Sequence, residues 1–264
     1  MKGIDLNHPL RSTKNNLRQK LSDSSTVVYG IFFYTGDSSM SEAAATTGLD
    51  FMIIDMEASP MTSRDVIPIL QSLNGSACSS IVRVPRHDQQ LIGHALDIGA
   101  DGVMIPKVES ASDSNTYSSA LRYPPLGTRG VNSLRASAYG AIDAEYMSVV
   151  DSEALCVVQI ESAQAVINAG QICSEKNVDI VFIGIGDLTL SSGVYGQIDH
   201  PDIVKARKHV LEQCRLYNKI PGIFAGSAEI ANKFVAEGFR FIAIGNDIKH
   251  FKSGLDSVLM ALDR

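Results

Sequence analysis

Short, continuously apolar runs rich in β-branched residues recur along the chain and alternate with amphipathic stretches. The runs predict strands over residues 27–33, 51–55, 80–84, 102–105, 155–160, 179–183, 220–224 and 240–244. Most lack the apolar–polar alternation of a half-exposed strand, so they read as strands covered on both faces. The intervening stretches 41–47, 64–73, 89–98, 163–175, 203–218 and 228–237 carry helical spacing. Ser63 and Ser227 stand at helix starts, and Gly48, Gly99 and Gly238 stand where helices should end. Eight strand–helix units in about 250 residues are the arithmetic of a (β/α)8 TIM barrel, within α/β proteins.

An open doubly wound sheet is the alternative, but no GxGxxG follows the first strand. Gly184-Ile185-Gly186 runs straight into Asp187 and does not complete that fingerprint. Neither repeats nor a low-complexity linker divide the chain, so residues 1–264 are expected to form one barrel domain. Residues 1–23 form an N-terminal extension expected to pack against the outside of the barrel, and 248–262 a C-terminal helix. The connection from 105 to 155 is long enough for a helix, starting at the Ser-rich stretch 110–119, and an extended loop. That loop contains Tyr123-Pro124-Pro125-Leu126-Gly127-Thr128-Arg129-Gly130, a stiff turn sequence. It is expected to cover the carboxyl-end face, because long loops in compact domains usually have a job.

Hydrophobic content of 45% with 20% charged residues is ordinary for a soluble globular protein. A net charge of −6 argues against a nucleic-acid partner. Cys78, Cys156, Cys173 and Cys214 are scattered with no CxxC pair, the pattern of reduced core cysteines in a cytoplasmic protein. Residues 1–20 are polar and show no signal peptide, and no apolar run approaches the roughly 18 residues of a membrane span.

Candidate chemistry sits at strand ends. Glu161 and Asp187 close two consecutive predicted strands and lie 187 − 161 = 26 residues apart, one strand–helix unit. That places them side by side at the carboxyl edge of a parallel sheet. Paired oxygen donors there suit Mg²⁺ or Mn²⁺; zinc is disfavoured because no histidine or cysteine is near in sequence. The bland reading is rim acids pairing with lysines or capping helices. Arg83, ending a third strand, can grip a carboxylate or an enolate oxygen with its fork, or simply form a salt bridge. Lys107 offers a rival Schiff-base mechanism. His87, four residues after Arg83, is either a base at the mouth or a solvent-facing loop histidine. His94 falls inside a predicted helix and reads as structural, and His8, His200, His209 and His250 offer nothing specific.

Seven segments now stand in order: Asp55-Met56-Glu57, Val82-Arg83-Val84-Pro85, Leu96-Asp97-Ile98-Gly99-Ala100, Ile105-Pro106-Lys107-Val108-Glu109, the 123–130 turn, Gln159-Ile160-Glu161, and Phe182 to Leu188. Together they resemble the HpcH/HpaI aldolases, metal-dependent pyruvate aldolases grouped with macrophomate synthase, over residues 17–247. The resemblance implies a (β/α)8 barrel assembled as a homo-oligomer, often a hexamer that exchanges C-terminal helices. It implies a divalent metal held by Glu161 and Asp187, with pyruvate or its enolate chelating that metal. Arg83 would stabilise the enolate oxygen, the turn Gly184–Gly186–Asp187 would hold the substrate carboxylate through backbone N–H groups, and Gln159 would lie near the metal's water shell.

One departure stands out. Such aldolases usually read Asp-x-Glu-His, with the histidine as general base, whereas this chain reads Asp55-Met56-Glu57-Ala58. Asp97, matching the acid that orients that histidine, remains. The expectation is a carbon–carbon lyase or aldolase acting on a pyruvate-type 2-oxo acid, with water, His87, Asp55 or Glu57 replacing the base. An oxaloacetate-type decarboxylase or enolate-adding synthase, which needs no such base, is the alternative. A catalytically silent metal and keto-acid binding protein is the alternative of another class.

Overall fold

The computed structural model describes residues 16–262. The N-terminal extension is seen from Asn16 onward; residues 1–15, His8 included, lie outside the described residues. Eight strands close on themselves in sequence order: β1 Val28–Phe33, β2 Phe51–Asp55, β3 Ser79–Arg83, β4 Gly102–Ile105, β5 Leu155–Ile160, β6 Ile180–Ile183, β7 Ile220–Ala225 and β8 Phe241–Asn246. Every neighbouring pair is parallel, including β8 with β1. The expected (β/α)8 barrel is the observed one. The helices are α1 Asn16–Ser22, α2 Ser38–Ala45, α3 Ser63–Ser72, α4 Gln89–Asp97, α5 Ala111–Ser119, α6 Asp143–Glu153, α7 Ala163–Ile167, α8 Ala169–Ser174, α9 Ile185–Ser191, α10 Pro201–Leu216, α11 Ala228–Glu237 and α12 Asp247–Met260. Cys78, Cys156, Cys173 and Cys214 are all buried and free. No helix of the described residues is long and apolar enough to cross a membrane.

Two apolar cores follow from strand periodicity. Alternate residues point into the barrel, where Phe32, Phe51, Ile53, Ile81, Phe182 and Phe241 pack together. Phe51 stacks on Phe241 at 3.8 Å between ring centroids. The ring of Phe51 occupies the space over Gly30, where an added Cβ would come within 2.3 Å of it. The residues between point outward and pack beneath the helices.

Three expectations change. Residues 16–22 do not lie on the outside wall: Leu17 and Leu21 of α1 join the interior cluster. Arg18 binds the carbonyls of Glu153 and Ala154 just ahead of β5, so α1 closes the amino-terminal mouth. The predicted helix 163–175 is two, broken at Asn168, whose amide donates to the Glu109 carbonyl at 2.7 Å. The long 105–155 connection holds a second helix, α6, whose apolar stripe is thin because only Tyr146 and Val150 are buried.

The 123–130 turn also lies elsewhere than expected. The Thr128 amide bonds the Ser119 carbonyl at the end of α5, and Arg122 reaches the Ala154 carbonyl and Asp179 ahead of β5 and β6. Arginines thus fasten the loop to the amino-terminal side, away from the strands' carboxyl ends.

Candidate active site

The top interior layer of the barrel is polar. Continuing the inward parity of Ile53, Ile81 and Val157 by two residues reaches Asp55, Arg83 and Gln159. Asp55 and Arg83 are direct partners in the β2–β3 register. Their side chains meet as a fork: Nε donates to Oδ1 at 2.8 Å and Nη2 to Oδ2 at 2.5 Å. Asp55 is 0% exposed and Oδ1 also accepts from the Glu57 and Ala58 amides. Arg83 lies 4.8 Å over the Phe32 ring.

The remaining nitrogen, Nη1, links the rest of the rim. It stands 3.0 Å from Glu57 Oε2 and 3.4 Å from Gln159 Oε1. Gln159 in turn donates to Glu161 Oε1 at 2.8 Å. Lys107, at a left-handed φ of 51°, gives its backbone N–H to Glu161 Oε2 and its ammonium to Glu57 Oε1 at 3.1 Å. The result is one continuous chain of contacts, Asp55–Arg83–Gln159–Glu161, braced by Glu57 and Lys107.

Glu161 is 4% exposed. Burial, then the negative charges of Glu57 and Asp187, push its carboxyl up to about 7, against the pull of Arg83 and the Lys107 N–H. Its hydrogen bond to Glu57, then the charge of that carboxylate, raises Lys107 and favours the protonated ammonium, which is not a Schiff-base nucleophile. Burial alone would lower Arg83, but hydrogen bonds and charge from Asp55 and Glu57 outweigh it and raise its pKa.

Glu161 fits against the turn into α9 because residue 184 is glycine. A Cβ there would lie 2.3 Å from Glu161 Oε1. Gly184 caps α9, and Asp187 sits in its first turn. The N–H groups of Gly186 and Asp187 have no preceding helical carbonyl to bind, and an added Cβ at Gly186 would meet nothing within 4 Å. Among the described residues no group of three or more His, Cys, Asp or Glu side chains is placed to hold a metal. Two carboxylates with water and substrate oxygens filling the other positions is, however, how Mg²⁺ is commonly held. The excess of carboxylate over cation around Glu161, all oxygen, matches a hard divalent ion, so the residues present fit the expected group.

The site residues read from sequence are not all brought together. Arg83, Asp55, Gln159 and Glu161 share one network, with Gly184, Gly186 and Asp187 on the adjacent turn. His87 is held on the side of α5: a ring nitrogen lies 2.5 Å from the Pro106 carbonyl and the ring packs on Tyr117 at 4.4 Å. No hydrogen bond or ion pair joins it to that network. Asp97 lies at the far end of α4, buried against Arg129 at 2.6 Å and Asn132 at 2.8 Å. It lines a separate cleft of about 640 Å³ beside α4, so within this chain it does not reach Ala58. Glu57 and Lys107 have closer contacts to the network than either.

A closed parallel barrel with its polar layer at the carboxyl ends of the strands defines a (β/α)8-barrel enzyme. The family model described as HpcH/HpaI aldolase/citrate lyase matches residues 29–254, and the chain belongs to that family. It is 35% identical to 2-dehydro-3,6-dideoxy-6-sulfogluconate aldolase of Pseudomonas putida, over 88% of this chain and 91% of that one. It is 36% identical to hydroxypyruvate/pyruvate aldolase of Chromohalobacter salexigens, over 83% and 87% of the two chains. A crystal structure of an HpcH/HpaI aldolase/citrate lyase family protein from Burkholderia cenocepacia superposes with a TM-score of 0.89 at 33% identity, covering 94% of this chain and 98% of that one. Carbon–carbon lyase chemistry of the aldolase type is the class these relatives define.

Proposed function

We propose that this protein is a divalent-metal-dependent aldolase acting on a pyruvate-type 2-oxo acid through its enolate, with Mg²⁺ or Mn²⁺ held by Glu161 and Asp187. The observation that carries this reading is the position of Arg83, locked by Asp55 on one side and facing the Gln159–Glu161 pair on the other. A bound divalent ion would polarise the keto group, as a Lewis acid does. The chain's own residues do the rest. Asp55 holds the arginine fork rigid, leaving Nη1 to steady negative charge developing on the substrate oxygen. Gln159 and the Lys107 N–H fix the orientation of Glu161. The N–H groups of Gly186 and Asp187 suit the substrate carboxylate. Asp97 and His87 have no part in this layer of the chain.

A second reading is favoured by one observation: no unengaged base stands in the network. Residue 58 is alanine, both Asp55 oxygens are bonded, and Glu57 is paired with two cations. Loss of CO₂ from an oxaloacetate-type acid yields the enolate without proton removal from an alcohol. Both readings predict pyruvate release from oxaloacetate by metal-stripped protein on adding Mg²⁺ or Mn²⁺, above the rate with metal alone. Absence of that turnover, with pyruvate still bound, would favour the silent binding protein.

The partner we propose is a second copy of this chain. Ile248, Phe251, Leu255 and Val258 lie exposed along one stripe of α12, too apolar a surface to face water alone. Phe251→Glu should lower the mass measured by light scattering, and a wild-type monomer would defeat the assignment. The four buried free thiols fit the cytoplasmic reading.

A further inference from the structure

We propose that Tyr34 is a catalytic residue of this site: its phenol donates the proton that the acceptor's carbonyl oxygen takes up as the new carbon–carbon bond forms. This rests on the aldolase reading above and supplies what Ala58 leaves out.

Tyr34 stands one residue past β1, and two past Phe32, so it continues the inward parity that carries Asp55, Arg83 and Gln159. Its neighbour Phe33 is the register partner of Ile54, which sets Tyr34 level with Asp55. The ring packs on the interior cluster, 6.2 Å from the Phe32 ring whose face Arg83 covers. The backbone is pinned, because the Tyr34 N–H bonds both oxygens of Asp247 at 3.0 and 3.1 Å.

The hydroxyl, by contrast, has no hydrogen-bond partner among the described residues. The only buried unpartnered side-chain nitrogen or oxygen among them is Arg129 Nη1, so the Tyr34 oxygen is open to solvent. A fixed ring with an unengaged donor at the rim is what a substrate-facing acid requires. The charged groups around it are Asp55 at the end of β2, Glu57 just past it, Arg83 on β3 and Asp247 on α12. Burial, then the Asp55 charge, raises the phenol against the pull of Arg83, so it is protonated at neutral pH and acts as donor.

In condensation, enolate C3 bonds to the acceptor carbonyl carbon, the carbonyl π pair moves onto its oxygen, and that oxygen takes the phenol proton. Water then reprotonates the tyrosinate. In cleavage the tyrosinate takes the alcohol proton as the same bond breaks.

The test compares wild type with Tyr34→Phe in two assays with Mn²⁺: addition of pyruvate to glycolaldehyde, and decarboxylation of oxaloacetate. We expect addition to fall about 10²-fold or more, and decarboxylation, which has no acceptor oxygen to protonate, to fall far less. The alkaline rise of the wild-type cleavage rate should also vanish in the variant. Undiminished addition, an equal fall in both assays, or a wild type that only decarboxylates would overturn the assignment. A wild type inactive in both would overturn the enolate reading itself.

Discussion

Arg83→Leu should cost about 3–5 kcal/mol of stability, the usual loss when one partner of a buried ion pair is removed, and a further ~10²–10³-fold in turnover. The structural part follows from Asp55. It has no exposed surface, and its two oxygens bond Nε and Nη2 of the arginine. Without the fork, a buried carboxylate keeps only the Glu57 and Ala58 amides. The chemical part follows from Nη1, the nitrogen directed at Glu57 and Gln159. Arg83→Lys keeps a positive charge but loses the two-point fork, so it should recover part of the stability and little of the turnover. The double variant Asp55→Asn with Arg83→Leu separates the two effects, since it removes the orphaned charge along with its partner. Urea unfolding should show most of the stability restored while oxaloacetate turnover stays lost. Turnover that returned with stability would mean Arg83 only holds the barrel rim.

Much of this arrangement was readable from the chain, for definable reasons. Buried parallel strands are continuously apolar, so β2, β4 and β5 begin and end where the runs do. Strand ends of a barrel converge on one face, so Arg83 and Glu161 could be nominated from position alone. What periodicity cannot reach is a residue placed by a helix or a loop. Asp97 follows Arg83 by a short distance in sequence, yet α4 carries it to the opposite end of the barrel, where Arg129 claims it. The 123–130 turn is stiff, but its side of the barrel is decided by arginine contacts with distant carbonyls. In the sequence Glu57 stands only as a spare base and Lys107 as a rival nucleophile, because the ion pairs that tie Glu57 to Arg83 and Lys107 to Glu57 cross whole strand–helix units. Tyr34 had a usable signal: counting inward positions from Phe32 places it on the same layer as Asp55.

Glu161→Gln should abolish the metal response and, without metal, make the protein more stable above neutral pH. Glu161 ordinarily would titrate near 4.5, but the fold raises it to about 7. Below 4.5 the group is protonated whether the chain is folded or not, and contributes no difference. Between 4.5 and 7 the folded state holds the proton more firmly, so stability falls as pH rises. Above 7 the penalty is complete, up to about 3 kcal/mol at 1.36 kcal/mol per pH unit. A neutral glutamine removes that slope. It also sets an NH₂ group against either the Gln159 amide or the Lys107 N–H, both of which now donate to the carboxylate, so the net gain at pH 8 should be about 1–3 kcal/mol. Added Mg²⁺ or Mn²⁺ reverses the order, because an ion bound only by the folded state stabilises it by mass action. Thermal melts of both proteins at pH 5 and pH 8, with chelator and with metal, should therefore cross: the variant higher at pH 8 in chelator, the wild type higher in metal, and little between them at pH 5. A variant that kept the wild-type metal shift would remove Glu161 from the metal site.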